Sequence, residues 1–593
     1  MASKQKHPKG LMILFFTEMW ERFGYYLMLG IFSLYMIEPS TAKFAGLGFT
    51  NMHAADIYGT YLALVYLTPF FGGLIADRIL GYRKSIIIGG LLMASGYIGL
   101  AIPDSMGAFY ISLLLIILGN GMFKPNVSVL LGKLYEKPEF ESLKDSGYNI
   151  FYMGINIGAF VCNFVAAYLR LTYGWGWAFA AAGIGMLIGV VWFLVGLARV
   201  PSIKEADKIS PARPSDIPMS RLFTVLFLPA LAAALIGWFI PDNMFGSDSN
   251  DAFIFFCIPV LIFYFTTWKT ADKKTEREPI AALLAVFGVV IIFWAVFHQN
   301  GSALTYWAKN NTSREVSGIT EKVMNLVAKT EDVSTVPREI KVQGLHGEDL
   351  GTRQGPNPYF DNYTKELPKG NLIGQPSDIS DKEWEKLSDQ ERKELEGKPS
   401  DMTVSEWKAL TAAQKEEGGK LNLWPTELQA SINPGFVVLL TPLVVGVFAW
   451  LRRRKKEPTT PGKIAWGMLI SALSWLVIMV GAIVSANGLD KASVAWLFGV
   501  YGVITIGELC LSPMGLSLVS KLAPKRIAAL MMGGWFLSTA IGNKLSGVLS
   551  GLWDLFEKKS YFFLTNAVLT AAAFLLIVFL MPWLKRVYNQ YVD

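Results

Sequence analysis

The segment TEMWERFGYY, residues 17–26, decides the fold because it sets three charges inside a stretch long enough to cross a bilayer. Residues 11–37 around it are otherwise largely apolar, and about 20 such residues span a membrane as a helix. A charge at the bilayer centre costs roughly 2.5–3.5 kcal/mol. Helical spacing places four side chains on one face, namely Glu18, Glu21, Arg22 and Tyr25. That face is therefore predicted to look into the protein or a watery cavity, not at lipid.

The composition is that of an all-α integral membrane protein with many spans. Of 593 residues, 52% are hydrophobic and 17% are charged, against about 25% charged in an average soluble domain. The first apolar run is too long for a signal peptide, so we expect it to remain as a transmembrane helix. Apolar runs predict fourteen spans, near residues 11–37, 56–76, 85–102, 108–132, 147–169, 177–198, 222–240, 252–268, 280–307, 432–451, 464–485, 494–518, 528–550 and 561–583.

The distribution of basic residues predicts the orientation. With the N-terminus inside, the cytoplasmic segments hold 29 Lys and Arg, against 5 in the short outer loops. Such a bias predicts that both termini are cytoplasmic, in a multi-pass protein of a cytoplasmic membrane. The net charge of +7 therefore reports orientation and does not indicate a nucleic-acid partner.

The spans are grouped as six, two and six, and a loop between the second and third carries a known pattern. GGLIADRILGYRK, residues 72–84, is similar to the loop signature of major-facilitator transporters, which bind substrate between two halves. The expected units are a six-helix bundle, a linker with two additional helices, the first helix of a second bundle, an insert and the rest of that bundle: 1–199, 200–277, 278–307, 308–427 and 428–593.

The insert is predicted to be a polar segment outside the membrane. It holds 17 basic and 22 acidic residues. A short repeat at 377–388 and 400–411 places Ser or Thr before Glu-Trp-x-x-Leu, which predicts two capped short helices in a small module. Residues 333–376 are rich in Gly, Pro and Asn and are predicted to be irregular. The insert either stabilises the exterior or binds an unknown partner.

Cations and acids within the first half can hold an anion and exchange protons. Arg22 can bind a carboxylate bidentately, and burial or the arginine can tune Glu18 and Glu21 as proton carriers. A purely structural ion pair is the alternative. Lys124, beside the kink expected at Pro125, needs an anionic partner, which is either a glutamate of the first span or a ligand.

Glu508 is an acid well inside the second half. A site between the halves would be positive near Arg22 and Lys124 and negative near Glu508, which complements a zwitterion such as a short peptide. Alternatively, Glu508 serves only a proton relay or pairs with Lys544.

Other polar and aromatic residues in the spans add amides, aromatic walls and one titratable imidazole: Asn156, Asn433, Trp294, Trp535 and His298. The three cysteines and four histidines show no metal-ligand spacing. No nucleophile–base pair is evident, so we expect neither an enzyme nor a cofactor.

Together these motifs resemble the proton-dependent oligopeptide transporter family of the major facilitator superfamily. The spans of the two halves are numbered one to twelve here, without the two additional helices. The matching segments lie in the first, fourth, fifth, seventh, tenth and eleventh of them: EMWERFGYY at 18–26, KPNVS from Lys124, FYMGINIG at 151–158, FWAVFHQNGS at 293–302, GELCLSP at 507–513, and Trp535. The two additional helices look like the pair that bacterial members carry between the halves.

The resemblance implies symport of di- and tripeptides with protons by alternating access. Arg22 and Lys124 would hold the peptide carboxylate, Glu508 the amino terminus, and Asn156 and Asn433 the backbone. Aromatic residues would line side-chain pockets: Tyr25, Tyr26, Tyr66, Trp294 and Trp535. Four residues of the first half, Glu18, Glu21, Arg22 and Lys124, would couple proton to substrate.

The chain departs from the family where His298 replaces the usual acid of the seventh span, which puts the usual gating ion pair there in doubt. His298 could contribute to proton coupling with the opposite charge logic. The insert after the seventh span is also unusual. Two alternatives stay open: a family member that carries nitrate, a drug or another organic anion, and a receptor or adaptor that acts through the insert.

Overall fold

A computed structural model describes residues 7–40, 42–102, 105–141, 143–200, 203, 219–273, 275–334, 338–343, 349–355, 386–395, 420–488, 490–524 and 527–592. Within them, a long helix occupies each of the fourteen predicted spans. Ten of these helices are long and apolar enough to cross a membrane. The predicted all-α membrane fold is therefore confirmed.

The long helices are α1 (Gly10–Ile37), α2 (Asn51–Ile75), α3 (Tyr82–Leu100), α4 (Met106–Leu134), α5 (Lys144–Tyr173), α6 (Trp175–Arg199), α7 (Leu228–Trp238), α8 (Asp248–Thr270), α9 (Arg277–Phe297), α10 (Ile432–Arg453), α11 (Thr460–Val484), α12 (Ala495–Leu522), α13 (Ala528–Gly551) and α14 (Lys559–Val592). A short helix, Met219–Leu222, and a π turn, Phe223–Phe227, lead into α7. The ladder of α2 continues as a π turn over Ala76–Leu80.

The helices form two bundles, each with its own core. One buried apolar cluster comes from α1 to α6, and the other comes almost entirely from α9 to α14 with α7 and α8 on its flank. Glycines let helices approach closely within each bundle. A Cβ atom at Gly89 of α3 would lie 2.6 Å from the carbonyl oxygen of Gly119, and one at Gly467 of α11 would lie 2.7 Å from that of Gly507.

The accessory hairpin, α7 and α8, lies on the outside of the bundles. Much of its surface is apolar and exposed in the isolated chain, including Leu231, Leu235 and Ile262, as expected of helices that face lipid. The Tyr264 hydroxyl of α8 donates to the carbonyl oxygen of Leu530 at 2.9 Å, which fastens the hairpin to the second bundle.

The insert contains more regular structure than predicted. Strand β1 (Glu331–Ser334) pairs antiparallel with β4 (Lys420–Leu423), and β2 (Arg338–Gln343) pairs with β3 (Asp349–Gly355). The prediction of an irregular segment over 333–376 is therefore wrong for β2 and β3. These strands contain few apolar residues, so the sequence pattern did not mark them as strands.

Two helices of the insert are also described, Gly318–Val327 and Asp389–Leu395. The shorter one begins with a capping box that was not predicted, since the Ser388 hydroxyl and the Glu391 carboxylate satisfy each other's backbone amides. Most of the tandem repeat lies outside the described residues.

Consecutive membrane-crossing helices alternate in direction, so the bundles have an insert side, where the chain leaves α9 for the insert, and a terminal side, where both termini lie. A 3₁₀ turn (His298–Gly301) and a helix (Ala303–Asn310) continue α9 towards the insert, slightly beyond the predicted boundary at 307. A second 3₁₀ turn, Thr426–Ser431, leads back from the insert into α10.

Candidate functional site

A cavity of about 210 Å³ lies between the two bundles. The first bundle contributes tyrosines of α1 and α2, and the second bundle contributes residues of α9, α10 and α12. Seven residues singled out from the sequence line it: Tyr25, Tyr26, Tyr66, Trp294, His298, Asn433 and Glu508. A cavity therefore exists between the two halves, where the sequence predicts a site.

Glu508 forms the acidic part of the cavity wall. Its helix, α12, turns the carboxylate towards α10, where Asn433 Nδ2 donates to Glu508 Oε2 at 3.0 Å and to Thr505 Oγ1 at 2.9 Å. Asn433 thereby fixes one carboxylate oxygen. Glu508 lines the cavity while being only half-buried, so its carboxylate can meet a cationic ligand group.

Two cations stand behind tyrosines on the facing wall. The Lys124 ammonium lies 4.3 Å from the centroid of the Tyr66 ring, and the Arg22 guanidinium carbon lies 5.3 Å from that of Tyr25. Both rings line the cavity, whereas the two cations do not. Cation–π contacts of this kind are attractive, so two cations back the tyrosines on this side of the cavity, whereas the Glu508 carboxylate lies on the other side.

The first-helix cluster is a compact ion-pair network. Arg22 Nε lies 3.0 Å from Glu18 Oε1 and 2.6 Å from Glu21 Oε2, and Asn120 Nδ2 donates to Glu21 Oε1 at 3.4 Å. All three charged side chains are buried. Within the described residues, Glu18 Oε2 and Arg22 Nη2 have no hydrogen-bond partner. Because buried polar atoms are normally paired, these two atoms are left with unused hydrogen-bonding capacity.

His298 sits in an aromatic cage at the point where α9 breaks. Its ring is 5.3 Å from Trp294 and from Phe297 and 6.0 Å from Tyr66 of the other bundle, measured between centroids. Its Nδ1 lies 3.3 Å from the backbone oxygen of Trp294. In the described part of the chain His298 has no ion-pair partner, so it does not form the usual gating pair of the seventh span.

Besides Arg22 and Lys124, two further predicted binding residues lie away from the cavity wall. Asn156 Nδ2 donates to the backbone oxygen of Tyr152 at 3.0 Å. Trp535 is 3% exposed, and a Cβ atom at Gly515 would meet its indole ring. The alternative pairing of Glu508 with Lys544 is not seen, because the Lys544 ammonium lies 2.5 Å from Asp56.

The sequence reading missed a polar group on the insert side of the cavity. Gln429 Nε2 donates to Thr305 Oγ1 at 2.7 Å, and its Oε1 accepts from the Tyr501 hydroxyl. Tyr501 also donates to the backbone oxygen of Asn300 at 3.3 Å. Gln429 sits in the turn before α10, at the edge of a long polar stretch, so the only available signal was its closeness to a span.

The insert side of the cavity is closed by ion pairs between the bundles. Arg170 at the end of α5 holds Glu427 bidentately, with Nε to Oε1 at 2.8 Å and Nη2 to Oε2 at 3.0 Å. The Lys309 ammonium lies 2.6 Å from Glu38 Oε2 beyond α1. The Ser33 hydroxyl also donates to the Gly301 oxygen at 2.7 Å. None of these charged residues was assigned a role from the sequence.

The root of the insert takes part in this closure. Glu331 on β1 accepts from Arg314 Nη1 at 2.9 Å and lies 3.7 Å from Arg170 Nη1. The Lys329 ammonium donates to the Leu171 oxygen at 3.4 Å. Burial opposes ionisation of Glu331, but Arg170 and Arg314 outweigh it and lower the pKa of its carboxyl from 4.5 to about 2. The carboxylate therefore stays charged at any physiological pH.

The site therefore combines a small cavity of opposed polarity, a buried acid–base cluster beside it, and a closed gate on one side. No group of His, Cys, Asp and Glu residues that could hold a metal ion occurs in the part of the chain that the structure describes. The arrangement suits binding and release of a small zwitterion.

Comparison with known proteins places the chain among transporters. The model of the POT family matches residues 83–328 and 410–588. The gap between the two matched ranges falls inside the insert. A di-/tripeptide transporter of Lactococcus lactis subsp. cremoris is 28% identical over 586 residues, which cover 98% of this chain and 96% of that protein.

Solved structures give the same result. The crystal structure of peptide transporter POT in complex with sulfate aligns with a TM-score of 0.71 at 27% identity, over 98% of this chain and 97% of the other. A mutant of peptide transporter POT in complex with alafosfalin aligns with a TM-score of 0.70 at 28% identity, over the same shares of the two chains. The similarity extends over both bundles and the accessory hairpin.

Proposed function

The chain belongs to the POT family, and on that premise we propose that it carries di- and tripeptides across a membrane together with protons. The observation that carries the proposal is the cavity between the bundles, with Glu508 on one wall and tyrosines backed by Arg22 and Lys124 on the other. The names of the relatives support the same substrate class. The reaction is transport and involves no enzymatic step and no cofactor.

The two walls match the two ends of a peptide. Glu508 meets the amino terminus, while Asn433 and Asn156 meet the backbone. Arg22 and Lys124 attract the carboxylate from behind the rings of Tyr25 and Tyr66, which line the cavity. A volume of about 210 Å³ is below the roughly 300–1,000 Å³ of pockets for drug-sized ligands. A small peptide suits it, and closure around the peptide leaves little room for bulk water.

Aromatic rings supply the side-chain pockets. Tyr26 and Trp294 line the cavity, and Trp535 reaches a ligand once the second bundle moves. Because aromatic walls make no directional demands on an aliphatic or aromatic side chain, we expect broad selectivity for the side chains of the peptide.

Proton coupling runs through the first-helix cluster. Binding of the peptide carboxylate by Arg22 and Lys124 takes charge compensation away from Glu18 and Glu21, which then hold a proton more readily. His298 contributes a titratable imidazole at the break of α9. An exchange of this kind needs unused hydrogen-bonding atoms, and the unpaired atoms of Glu18 and Arg22 supply them.

The orientation proposed is that both termini lie in the cytoplasm and the insert lies outside a bacterial-type cytoplasmic membrane. The bias of basic residues supports it. In that orientation the ion pairs of Arg170 and Lys309 close the outside, and the chain is poised to exchange peptide with the cytoplasm. Opening to the outside must break those pairs, which is the alternating-access step.

Uptake into proteoliposomes tests the function. The full chain is expected to accumulate dialanine and trialanine when an inward proton gradient is imposed, and only to equilibrate them without one. Nitrate or a small organic anion, added in parallel, serves as the competing substrate class. Accumulation of the anion but not of the peptides would overturn the proposal, as would equal accumulation of the peptides with and without the gradient.

A further inference from the structure

An ion pair with a buried lysine and a half-buried aspartate joins the two bundles beside the cavity. The Lys544 ammonium of α13 lies 2.5 Å from Asp56 Oδ1 of α2. It also donates to Thr60 Oγ1 and Ser249 Oγ, each at 2.7 Å. Ser249 of α8 in turn donates to the Asp56 carboxylate at 2.7 Å. The first bundle, the second bundle and the accessory hairpin thus meet at one carboxylate.

The pair lies where α2 and α13 approach closely. A Cβ atom at Gly59 would lie 2.7 Å from the Cα atom of Gly547, and one at Gly547 would lie 2.9 Å from that of Gly59. Asp56 and Lys544 precede these glycines by about one helical turn. Tyr58, on another face of α2, lines the cavity. The ion pair therefore sits in the seam between the bundles, next to the space that would hold the peptide.

The other titratable groups near Asp56 face elsewhere. On α2, the His53 ring packs edge-to-face against Phe49, with centroids 4.6 Å apart. On α8, Asp248 is exposed and Asp251 accepts from two backbone amides at 2.7 and 2.8 Å. Among the described residues, Lys544 is the charged partner that Asp56 has.

Movement of the bundles must change this pair. Separation of α2 from α13 on the insert side would leave two charges in a low-dielectric seam, which costs several kcal/mol for each unpaired ion. A carboxylate avoids that cost by binding a proton. The Asp56 side chain is 22% exposed and that of Lys544 is 4% exposed, so the acid is the partner that water can reach.

We propose that Asp56 is a further proton-carrying residue of the transport cycle, with Lys544 as its counter-ion and Ser249 as its link to the accessory hairpin. The proposal rests on the proposed function. When the insert side opens, the Asp56 carboxylate binds one proton from the water on that side. When the bundles close again, the Lys544 ammonium returns and the proton leaves towards the terminal side. No other bond is made or broken.

The test compares two transport modes of the full chain in proteoliposomes. Asp56→Asn keeps the size of the side chain and one acceptor oxygen but cannot carry a proton. We expect it to retain counterflow of labelled dialanine and to lose gradient-driven accumulation, together with the proton entry that pyranine reports inside the vesicles. Asp56→Glu keeps a carboxyl and is expected to restore accumulation. Asp554→Asn is the matched control, since it removes the charge of an exposed acid just beyond α13 that accepts from Asn51, at the start of α2, at 3.1 Å.

The double variant Asp56→Asn/Lys544→Gln removes both charges and so leaves no unpaired ion if the single variant fails to fold. It is expected to exchange dialanine without accumulating it. Normal accumulation by either variant would overturn the proposal, and so would equal loss of counterflow and accumulation in monodisperse protein. Failure of the unaltered chain to exchange dialanine would instead contradict the proposed function.

Discussion

Arg170 of the first bundle and Glu427 of the second form a bidentate ion pair, with N–O distances of 2.8 and 3.0 Å, and both side chains are buried. Two parallel hydrogen bonds between a guanidinium and a carboxylate are strong and directional. Glu427 lies only two residues before Gln429, which lines the cavity. The pair therefore ties closure of the insert side directly to the shape of the site.

Glu427→Gln is expected to loosen that closure. Removing one partner of a buried ion pair typically costs about 3–5 kcal/mol, and here Glu331, 3.7 Å from Arg170, offsets part of it. A cysteine placed at Thr305, which lines the cavity, should react faster with a membrane-impermeant maleimide added on the insert side. The background should lack the three native cysteines.

Glu457→Gln is the control for this experiment, because Glu457 pairs with Arg452 and Lys463 between α10 and α11, on the terminal side. It should leave the reactivity at position 305 unchanged. Equal labelling rates in the Glu427→Gln variant and the unaltered chain would show that the Arg170 pair does not hold the gate.

Glu331 should make the closure resistant to mild acid. Its folded pKa of about 2 lies below the ordinary 4.5, so its stabilising contribution is fully present above pH 4.5 and is lost as the pH falls towards 2. Glu331→Gln should therefore lower Tm in detergent at pH 7 and at pH 5 by the same amount. The difference in Tm from the unaltered chain should shrink only below about pH 4.5. A difference that changes between pH 7 and pH 5 would contradict this assignment.

The sequence predicted the helices and singled out the charges within and beside the cavity, because a charge inside a membrane span is a local signal that needs no tertiary information. Glu18, Arg22, Lys124 and Glu508 were found in that way. The gate was missed because Arg170 and Glu427 lie at span ends, where charged residues are ordinary, and because 257 residues separate them in the chain.

The same reasoning explains why Asp56 was not singled out from the sequence. It lies near the start of α2, six residues from the N-cap Thr50, where a solvated acid is the usual expectation. Only the approach of α13 and α8 makes it the half-buried partner of Lys544. Likewise, the ring cage around His298 depends on Tyr66 of the opposite bundle, which no local pattern predicts.

Glu508→Gln should weaken binding of peptides with a free amino terminus. A hydrogen bond to a charged group contributes about 1.5–3 kcal/mol, which corresponds to about a tenfold or greater loss of affinity. Competition in dialanine counterflow measures it. N-acetyl-dialanine should bind the unaltered chain poorly and bind the variant no worse than dialanine does. Ser512→Ala, also on the cavity wall, should keep the preference for the free amino terminus. Undiminished affinity in the Glu508→Gln variant would refute the assigned contact.

His298→Gln should lower gradient-driven accumulation more than counterflow. Glutamine keeps a polar side chain that can donate to the Trp294 oxygen but does not titrate near neutrality. The comparison is made in proteoliposomes with and without the proton gradient. His53→Gln serves as the control, since His53 lies at the exposed start of α2. Normal accumulation by the His298→Gln variant would remove this histidine from the coupling mechanism.

The body of the insert should be dispensable, whereas its root should not. Ser334 of β1 and Lys420 of β4 are directly paired partners in an antiparallel ladder, so a two-residue Asn-Gly turn can join them as a hairpin. Replacing residues 335–419 by that turn retains Arg314, Glu331 and Glu427 and hence the closure. Uptake of dialanine should be preserved. Removal of 310–425 deletes Arg314 and Glu331 and should impair uptake. If the variant that lacks only residues 335–419 loses uptake while the protein remains monodisperse, a receptor or adaptor role for the insert would be favoured.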